Sequence, residues 1–231
     1  QYVARHHSGE NVILINSKEI NDTRNVQLFK RHYNDALRSL PDSSNRALIE
    51  LEASSRFVGD LNAKLSKARR NILVVPAGRE SRSMIANLQT KLQLIDSEQF
   101  QIVIYGMSEW MDFDFLDIEF KNKVELRIPE SSFVDFEDPK VLNFTAAFRK
   151  KYQTDPDKYA FLGYDVTLFY GQGLKQFGIN FPNHFDHIAT LGLMHVNFNY
   201  VKTGVETGYE NEHVVLLKHH QFALETISSN D

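Results

Sequence analysis

What the sequence lacks excludes several classes of function. It contains no cysteine, so disulfides, thiolate metal sites and cysteine nucleophiles are absent. No run of residues approaches the roughly 20 apolar positions that a membrane-spanning helix needs. Its 26 basic and 30 acidic residues give a formal net charge of −4, and without a basic stripe we expect no nucleic-acid binding.

Several short motifs of nucleotide binding, catalysis and metal binding are also missing. The loop after the first apolar run reads Asn16-Ser17-Lys18-Glu19, with neither Gly-x-Gly-x-x-Gly nor a P-loop. No Gly-x-Ser-x-Gly precedes a helical stretch. His184 and His187 have the spacing of a metal pair, but no third ligand is indicated. We therefore expect no catalytic residue, no metal and no cofactor. The alternative is an enzyme with a perturbed carboxylate or histidine near the strand ends.

Short apolar runs alternate with amphipathic stretches along the first 129 residues. Apolar residues at helical spacing predict helices over 21–40, 56–67 and 81–95, and either Asn21 or Asp22 is expected to cap the first. This alternation predicts an α/β fold, a three-layer arrangement with a mainly parallel sheet flanked by helices. The five apolar runs, each a predicted strand, are Val12–Ile15, Ala47–Leu51, Ile72–Val75, Ile102–Tyr105 and Val124–Ile128.

The character of the sequence changes near Pro129. An acidic loop is followed by predicted helices at 139–152 and 161–177, and Gly178 is placed to end the second helix. Strand-like segments then follow, including the alternating stretch His195–Tyr200. The helices carry more aromatic surface than five short strands would cover, so we expect part of the natural protein to precede Gln1, or a homodimer to form. The predicted division is an α/β lobe (1–129), a helical segment (130–190) and terminal strands returning to the lobe (191–231).

The residues that directly follow the strands are the candidate binding residues, because ligands of parallel sheets bind outside the carboxyl ends of the strands. Either Ser81 or Ser83, beside Arg79, could hold an anion at a helix start. Glu109 could meet an ammonium group, and Trp110 could form an apolar wall. The alternative is that the serines and acidic residues only cap helices. The candidate ligand-binding residues are Ser17, Arg79, Glu80, Ser81, Ser108, Glu109 and Trp110.

Three motifs in the carboxy-terminal half carry a resemblance to a known family. They are Phe148-Arg149-Lys150-Lys151-Tyr152, Asp155-Pro156-Asp157-Lys158-Tyr159-Ala160 and Gly163-Tyr164-Asp165-Val166. They resemble type I periplasmic solute-binding proteins of the leucine/isoleucine/valine-binding family, which serve ABC transporters. Val166 stands where alanine is usual in that family. The segments 11–40, 72–92 and 102–110 are similar to strands and loops of the family's second lobe, and 130–190 to later helices of its first lobe.

The resemblance implies an incomplete two-lobe protein that binds a small molecule without catalysis. It implies a periplasmic or cell-envelope location, with the secretion signal outside this chain, and a membrane permease as partner. It also places Arg79, Glu80, Ser108 and Glu109 near ligand-contacting loops. The residues that hold an amino-acid carboxylate in the family would precede Gln1, so the ligand class is not implied and weak binding by this chain alone is expected. The alternative is a non-transport envelope sensor or interaction module, associated with the cell wall.

Overall fold

A computed structural model describes residues 1–40, 48–53, 57–205 and 207–227. The chain divides into two compact units: the first unit is Gln1–Pro129 with Leu216–Asp231, and the second unit is Glu130–Val215. The chain returns to the first unit at Leu216, whereas the sequence placed this return at residue 191. The reason is that the strands at 200–202 and 209–211 pair with each other and not with the large sheet.

The strands of the first unit form a seven-stranded sheet in the order β2-β1-β3-β4-β5-β8-β9. Every neighbouring pair from β2 to β5 is parallel, while β8 and β9 are antiparallel. The predicted, mainly parallel sheet is thereby confirmed; Ala47, part of one predicted strand, lies outside the described residues. The nine strands are β1 (Asn11–Asn16), β2 (Ile49–Glu52), β3 (Asn71–Val74), β4 (Ile102–Tyr105), β5 (Arg127–Glu130), β6 (Tyr200–Lys202), β7 (Tyr209–Asn211), β8 (Val215–His220) and β9 (Ala223–Thr226).

Two of the helices, α1 and α5, were not predicted, because five and six residues are too few to show a helical period. Because α5 ends at Lys123 and Val124 is its C-cap residue, β5 starts only at Arg127, three residues later than predicted. The helices are α1 (Tyr2–His6), α2 (Ile20–Arg38), α3 (Phe57–Lys64), α4 (Arg82–Gln93), α5 (Ile118–Lys123), α6 (Pro139–Tyr152) and α7 (Lys158–Phe177).

Helices cover both faces of the sheet in the first unit. On one face, Val12 and Leu14 of β1 pack in a cluster with Val26 and Tyr33 of α2. Successive strand residues point to opposite faces, so Ile13, which is also fully buried, lies on the other face. Burial on both faces explains why the strands are continuous apolar runs. The predicted three-layer architecture is therefore confirmed.

The second unit is held together around helix α7, which begins three residues earlier than predicted and ends at Gly178, where φ is +59°. Asp165 of α7 is fully buried. Its carboxylate accepts hydrogen bonds from the backbone N–H groups of Met194, His195 and Val196 at 2.9, 2.7 and 2.9 Å. Two of these donors lie in the stretch predicted as a strand at 195–200. Because they are already bonded to Asp165, that prediction was wrong and pairing begins only at Tyr200.

Candidate functional site

The order of the strands indicates where a ligand would bind. Strand β1 lies between β2 and β3, so the chain leaves β1 toward one side and β3 toward the other. Ligands of open α/β sheets bind at such a reversal, outside the carboxyl ends of the strands. We call the three loops at these ends the rim: residues 17–22 after β1, 75–81 after β3 and 106–112 after β4.

Asp22 is the central residue of the rim. It is 2% exposed, and its carboxylate accepts hydrogen bonds from Ser17 Oγ at 2.6 Å, Ser81 Oγ at 2.5 Å and the Gly78 N–H at 3.0 Å. The expected capping by Asn21 or Asp22 was wrong, because α2 already begins at Ile20. Asp22 instead joins the loop after β1 to the loop after β3.

Glu109 brings a second carboxylate to the same place. A Cβ atom added to Gly78 would lie 3.6 Å from Glu109 Oε1 and 3.7 Å from Asp22 Oδ1, so the two carboxylates flank this glycine. Glu109 Oε2 is buried and has no hydrogen-bond partner in the described part of the chain. A buried acceptor without a donor is costly. The arrangement therefore suits a ligand that brings an N–H or cationic donor.

Arg79 and Glu80 form an outer, solvent-exposed layer of the rim. Arg79 donates to Asp112 at 2.5 Å, and both side chains are more than half exposed. Asn21 donates to Glu80 at 3.2 Å. Since exposed pairs contribute little to stability, these side chains can exchange their partners for a ligand at small cost.

Trp110 belongs to the rim, but its side chain faces inward and not toward solvent. Its side chain is fully buried, and its indole N–H donates to the Ala77 carbonyl at 2.8 Å. A Cβ atom on Gly106 would come within 2.8 Å of the Trp110 ring, so only glycine fits there. The ring that was expected to form a ligand-facing wall packs against the loops in this structure. Ser108 opens the 3-10 helix that carries Trp110.

An apolar cavity of about 320 Å³ lies beside the rim in the first unit. Pro76 and Met107 contribute to it from the rim loops, and Asn25 and Phe29 line it from α2. None of the seven predicted site residues lines this cavity. The polar cluster around Asp22 and the apolar cavity are thus separate features that share two loops.

The structure brings most of the predicted residues together. Ser17, Ser81 and Glu109 meet around Asp22 and Gly78, and Arg79 and Glu80 lie on the same loop. Asp22 and Gly78 were not among the predicted site residues. The available signal was an acidic residue in the first helical turn after a strand, which is also the pattern of an ordinary cap.

The described residues contain neither a metal-binding cluster nor a membrane-spanning helix. No group of three histidine, aspartate or glutamate side chains there is placed to hold a metal ion. No helix among them is both long enough and apolar enough to cross a membrane.

Comparison with known proteins identifies the fold. No protein-family model and no curated protein matches the sequence. Among solved structures, the chain is similar to a branched-chain amino acid ABC transporter protein from Rhodospirillum rubrum, with a TM-score of 0.53 and 15% identity over 98% of this chain and 63% of the other. The chain has the type I periplasmic-binding-protein fold.

A second structure with the type I periplasmic-binding-protein fold is an ABC transporter substrate-binding protein from Desulfitobacterium hafniense. Its TM-score is 0.52, with 15% identity over 98% of this chain and 62% of that one. This chain therefore spans less than two thirds of the length of these neighbours. Similarity at this level of identity shows the fold, and the ligand must be argued from the rim itself.

Proposed function

We propose that the protein is a non-catalytic, small-molecule-binding protein of the solute-binding type, located in the periplasm or cell envelope. The observation that carries the proposal is the Glu109 carboxylate, which lies at the strand-order reversal beside Gly78 and has one oxygen without a donor among the described residues. The fold supports it, because two solved structures with this fold are ABC-transporter proteins.

The chemistry of the rim favours a ligand with a positively charged nitrogen. Asp22 and Glu109 place two carboxylates around one glycine, and the hydrogen-bond partners of Asp22 are neutral hydroxyl and amide groups. A bound ammonium would supply the missing donor to Glu109 and offset the negative charge. Amino acids are the first ligand class to test, since the Rhodospirillum rubrum protein is named as a branched-chain amino acid transporter.

In transport, the ligand-bound form would be recognised by a membrane permease. The family resemblance adds that the ligand is enclosed by hinge closure, which requires contacts that differ between open and closed states. For this chain the contacts that we propose are Glu109, Arg79 and Glu80, with Ser17, Ser81 and Ser108 in the surrounding loops. We leave Trp110 out of the contact set and assign it to loop support because it is fully buried.

The test is a titration of the ¹⁵N-labelled protein followed by amide chemical shifts, which detects even millimolar binding. The ligands are L-leucine, isopentylamine (no carboxylate) and 4-methylpentanoate (no ammonium), followed by the other amino acids. We expect leucine and isopentylamine to shift the Gly78, Arg79 and Glu109 amides, and 4-methylpentanoate to leave them unchanged.

A charge-removing substitution sharpens this test. Glu109→Gln should weaken leucine binding by about tenfold, because a charge-assisted hydrogen bond is lost. Glu119→Gln is the matched control, since Glu119 is an exposed residue of α5 outside the rim. The proposal is wrong if no amino acid or amine shifts the rim amides, or if Glu109→Gln binds as tightly as the unchanged protein.

A second candidate function, an envelope sensor or interaction module, is favoured by an aromatic groove in the second unit. This groove of about 360 Å³ lies between α6 and α7. Tyr152 and Tyr164, which line it, are 53% and 41% exposed, and large exposed apolar patches mark interaction surfaces. Co-sedimentation with purified cell wall, compared with the Tyr152→Ser/Tyr164→Ser variant, would test this function; equal sedimentation of both proteins would exclude the groove.

A further inference from the structure

We propose that Asp22 is a positioning residue for the rim: together with Trp110 it fixes the Ala77–Gly78 peptide group against which the Glu109 carboxylate lies. This inference rests on the proposed function, because the position of Glu109 matters for binding only if the rim binds a ligand. Asp22 itself is buried within the rim and is not proposed to touch the ligand.

The peptide group between Ala77 and Gly78 is held at both of its polar ends. Its carbonyl oxygen accepts from the Trp110 indole N–H at 2.8 Å, and its N–H donates to Asp22 Oδ1 at 3.0 Å. A peptide group is planar, so bonds to both ends fix the orientation of the whole plane. The rim loop after β3 therefore has one defined conformation at Gly78.

The other oxygen of Asp22 ties this peptide group to the rest of the rim. Oδ2 accepts from Ser17, which follows β1, and from Ser81, which precedes α4. Gly78 and Ser81 are 56 and 59 residues away from Asp22 in the sequence. One buried carboxylate thus joins the two loops on either side of the strand-order reversal.

A role limited to helix capping does not account for these contacts. In a capping box, the third residue of the helix accepts the N–H of the cap residue. Here the N–H of the cap residue Glu19 donates to Ser17 Oγ, at 3.3 Å, and Asp22 is directed toward the loop after β3. Burying a carboxylate is costly unless it is well bonded, and all three bonds of Asp22 go to rim residues.

Glu109 depends on this arrangement from two directions. Its Oε1 atom lies near Gly78, on the same side as Asp22 Oδ1. It is also the sequence neighbour of Trp110, whose indole N–H bonds the Ala77 carbonyl. If the Ala77–Gly78 peptide group turned, Gly78, against which the Glu109 carboxylate lies, would move. The Ala77 carbonyl, which accepts from Trp110, the residue after Glu109, would move with it.

The experiment compares Asp22→Leu, which removes every hydrogen bond, with Asp22→Asn, which can keep them. In Asp22→Asn the amide oxygen can accept the Gly78 N–H, and the amide nitrogen can donate to Ser17 and Ser81, whose hydroxyls rotate. We expect amide hydrogen exchange at Gly78 and at the Trp110 indole to accelerate by about tenfold or more in Asp22→Leu, and to stay within about threefold in Asp22→Asn. Asp35→Asn, an exposed carboxylate of the same helix, is the control and should change neither rate.

Binding of L-leucine provides the functional readout. Asp22→Leu should bind at least about tenfold more weakly than the unchanged protein, while Asp22→Asn stays within about threefold. If the unchanged protein shows no shift at the rim, the proposed function fails while the exchange result still decides whether Asp22 holds the peptide group.

Two results would overturn the inference. One is unchanged Gly78 exchange in folded Asp22→Leu. The other is an equal acceleration across β1, β3 and β4, which would show a general loss of stability and no specific positioning. If Asp22→Leu does not fold, the double variant Ser17→Ala/Ser81→Ala takes its place. It keeps the bond from the Gly78 N–H to Asp22 but removes both serine bonds to Asp22 Oδ2. It should accelerate Gly78 exchange by about threefold, and an unchanged rate there would also overturn the proposal.

Discussion

Asp22 in the first unit and Asp165 in the second are both buried carboxylates that tie distant segments together, but they accept from different donors. Asp22 accepts from two serine hydroxyls and one backbone N–H. Asp165 accepts from three consecutive backbone N–H groups. Hydroxyl groups rotate and can also accept, whereas a backbone N–H can only donate. We infer that the first arrangement tolerates a change of its acceptor and the second does not.

The largest expected effect comes from Asp165→Asn. The amide oxygen can accept from the N–H groups of His195 and Val196, but the amide nitrogen would then face the N–H of Met194, which is a donor itself. Losing one charge-assisted hydrogen bond, and the charge assistance of the other two, should destabilise the second unit by about 3–5 kcal/mol. Hydrogen exchange of the Met194, His195 and Val196 amides measures this loss directly.

Asp22→Asn is the matched substitution in the first unit. Because its serine partners can reverse their hydrogen bonds, its cost should stay below about 1 kcal/mol. Equal destabilisation by the two substitutions, measured by exchange of the most protected amides in each unit, would contradict the distinction between rotatable and fixed donors.

A second side-chain network of the first unit, around His7, is expected to tolerate a change less well than the network around Asp22. Arg127 donates to the Tyr105 hydroxyl oxygen at 2.9 Å, and the Tyr105 hydrogen can then be donated to Nε2 of a neutral His7 ring, which lies 2.7 Å away. Burial, and then the nearby Arg127 guanidinium, lower the pKa of His7 to about 4.

The pH dependence follows from this shift. The pKa of His7 in the folded protein lies below its value in the unfolded chain, which is near 6.5. The stabilisation that comes from neutral His7 is therefore fully present above pH 6.5 and is lost as the pH falls toward 4. The loss should be about 3 kcal/mol. The free energy of unfolding in urea, measured at pH 7 and at pH 4.5, should fall less for His7→Gln than for the unchanged protein. An identical fall would exclude His7 as a cause of the lower stability in acid.

Two glycines of the rim make the next comparison. Gly106→Ala should destabilise the first unit by about 1–3 kcal/mol, because the new methyl group would lie within 2.8 Å of the Trp110 ring. Gly78→Ala should change stability by less than about 0.5 kcal/mol, since its contacts would be at 3.6 and 3.7 Å. Thermal unfolding of both variants measures the difference, and a larger loss for Gly78→Ala would be inconsistent with this packing.

His219 is expected to give a small effect of the opposite sign. It is 4% exposed, and neither ring nitrogen has a hydrogen-bond partner among the described residues. Burial and then Lys121 lower its pKa to about 4. His219→Leu should raise stability by about 1 kcal/mol at pH 7, because an unsatisfied polar group is removed. A loss of stability on this substitution would show that the ring is bonded, for instance to water.

The parts of the fold that could be predicted are those with a local signal. Strand β4 was predicted with its observed bounds because it is a continuous apolar run. Helix α6 was predicted from Pro139 to Tyr152, as observed, because its helical period and the proline at its start are visible locally. The stretch at 195–200 alternates like a strand, yet its N–H groups bond to Asp165, a residue of another element. A pattern in one segment does not show that a distant residue competes for its donors.

The sequence by itself determined the layered α/β architecture of the first unit, since runs of apolar residues must be buried and helical periods are short-range. It also indicated that the loops after the strands are where a ligand would bind. Only the tertiary structure decided that Asp22 is the centre of the rim, that the Trp110 side chain faces inward, and that Glu109 lies against Gly78. These contacts join residues about 30 to 90 positions apart, and the order of the strands in space brings them together.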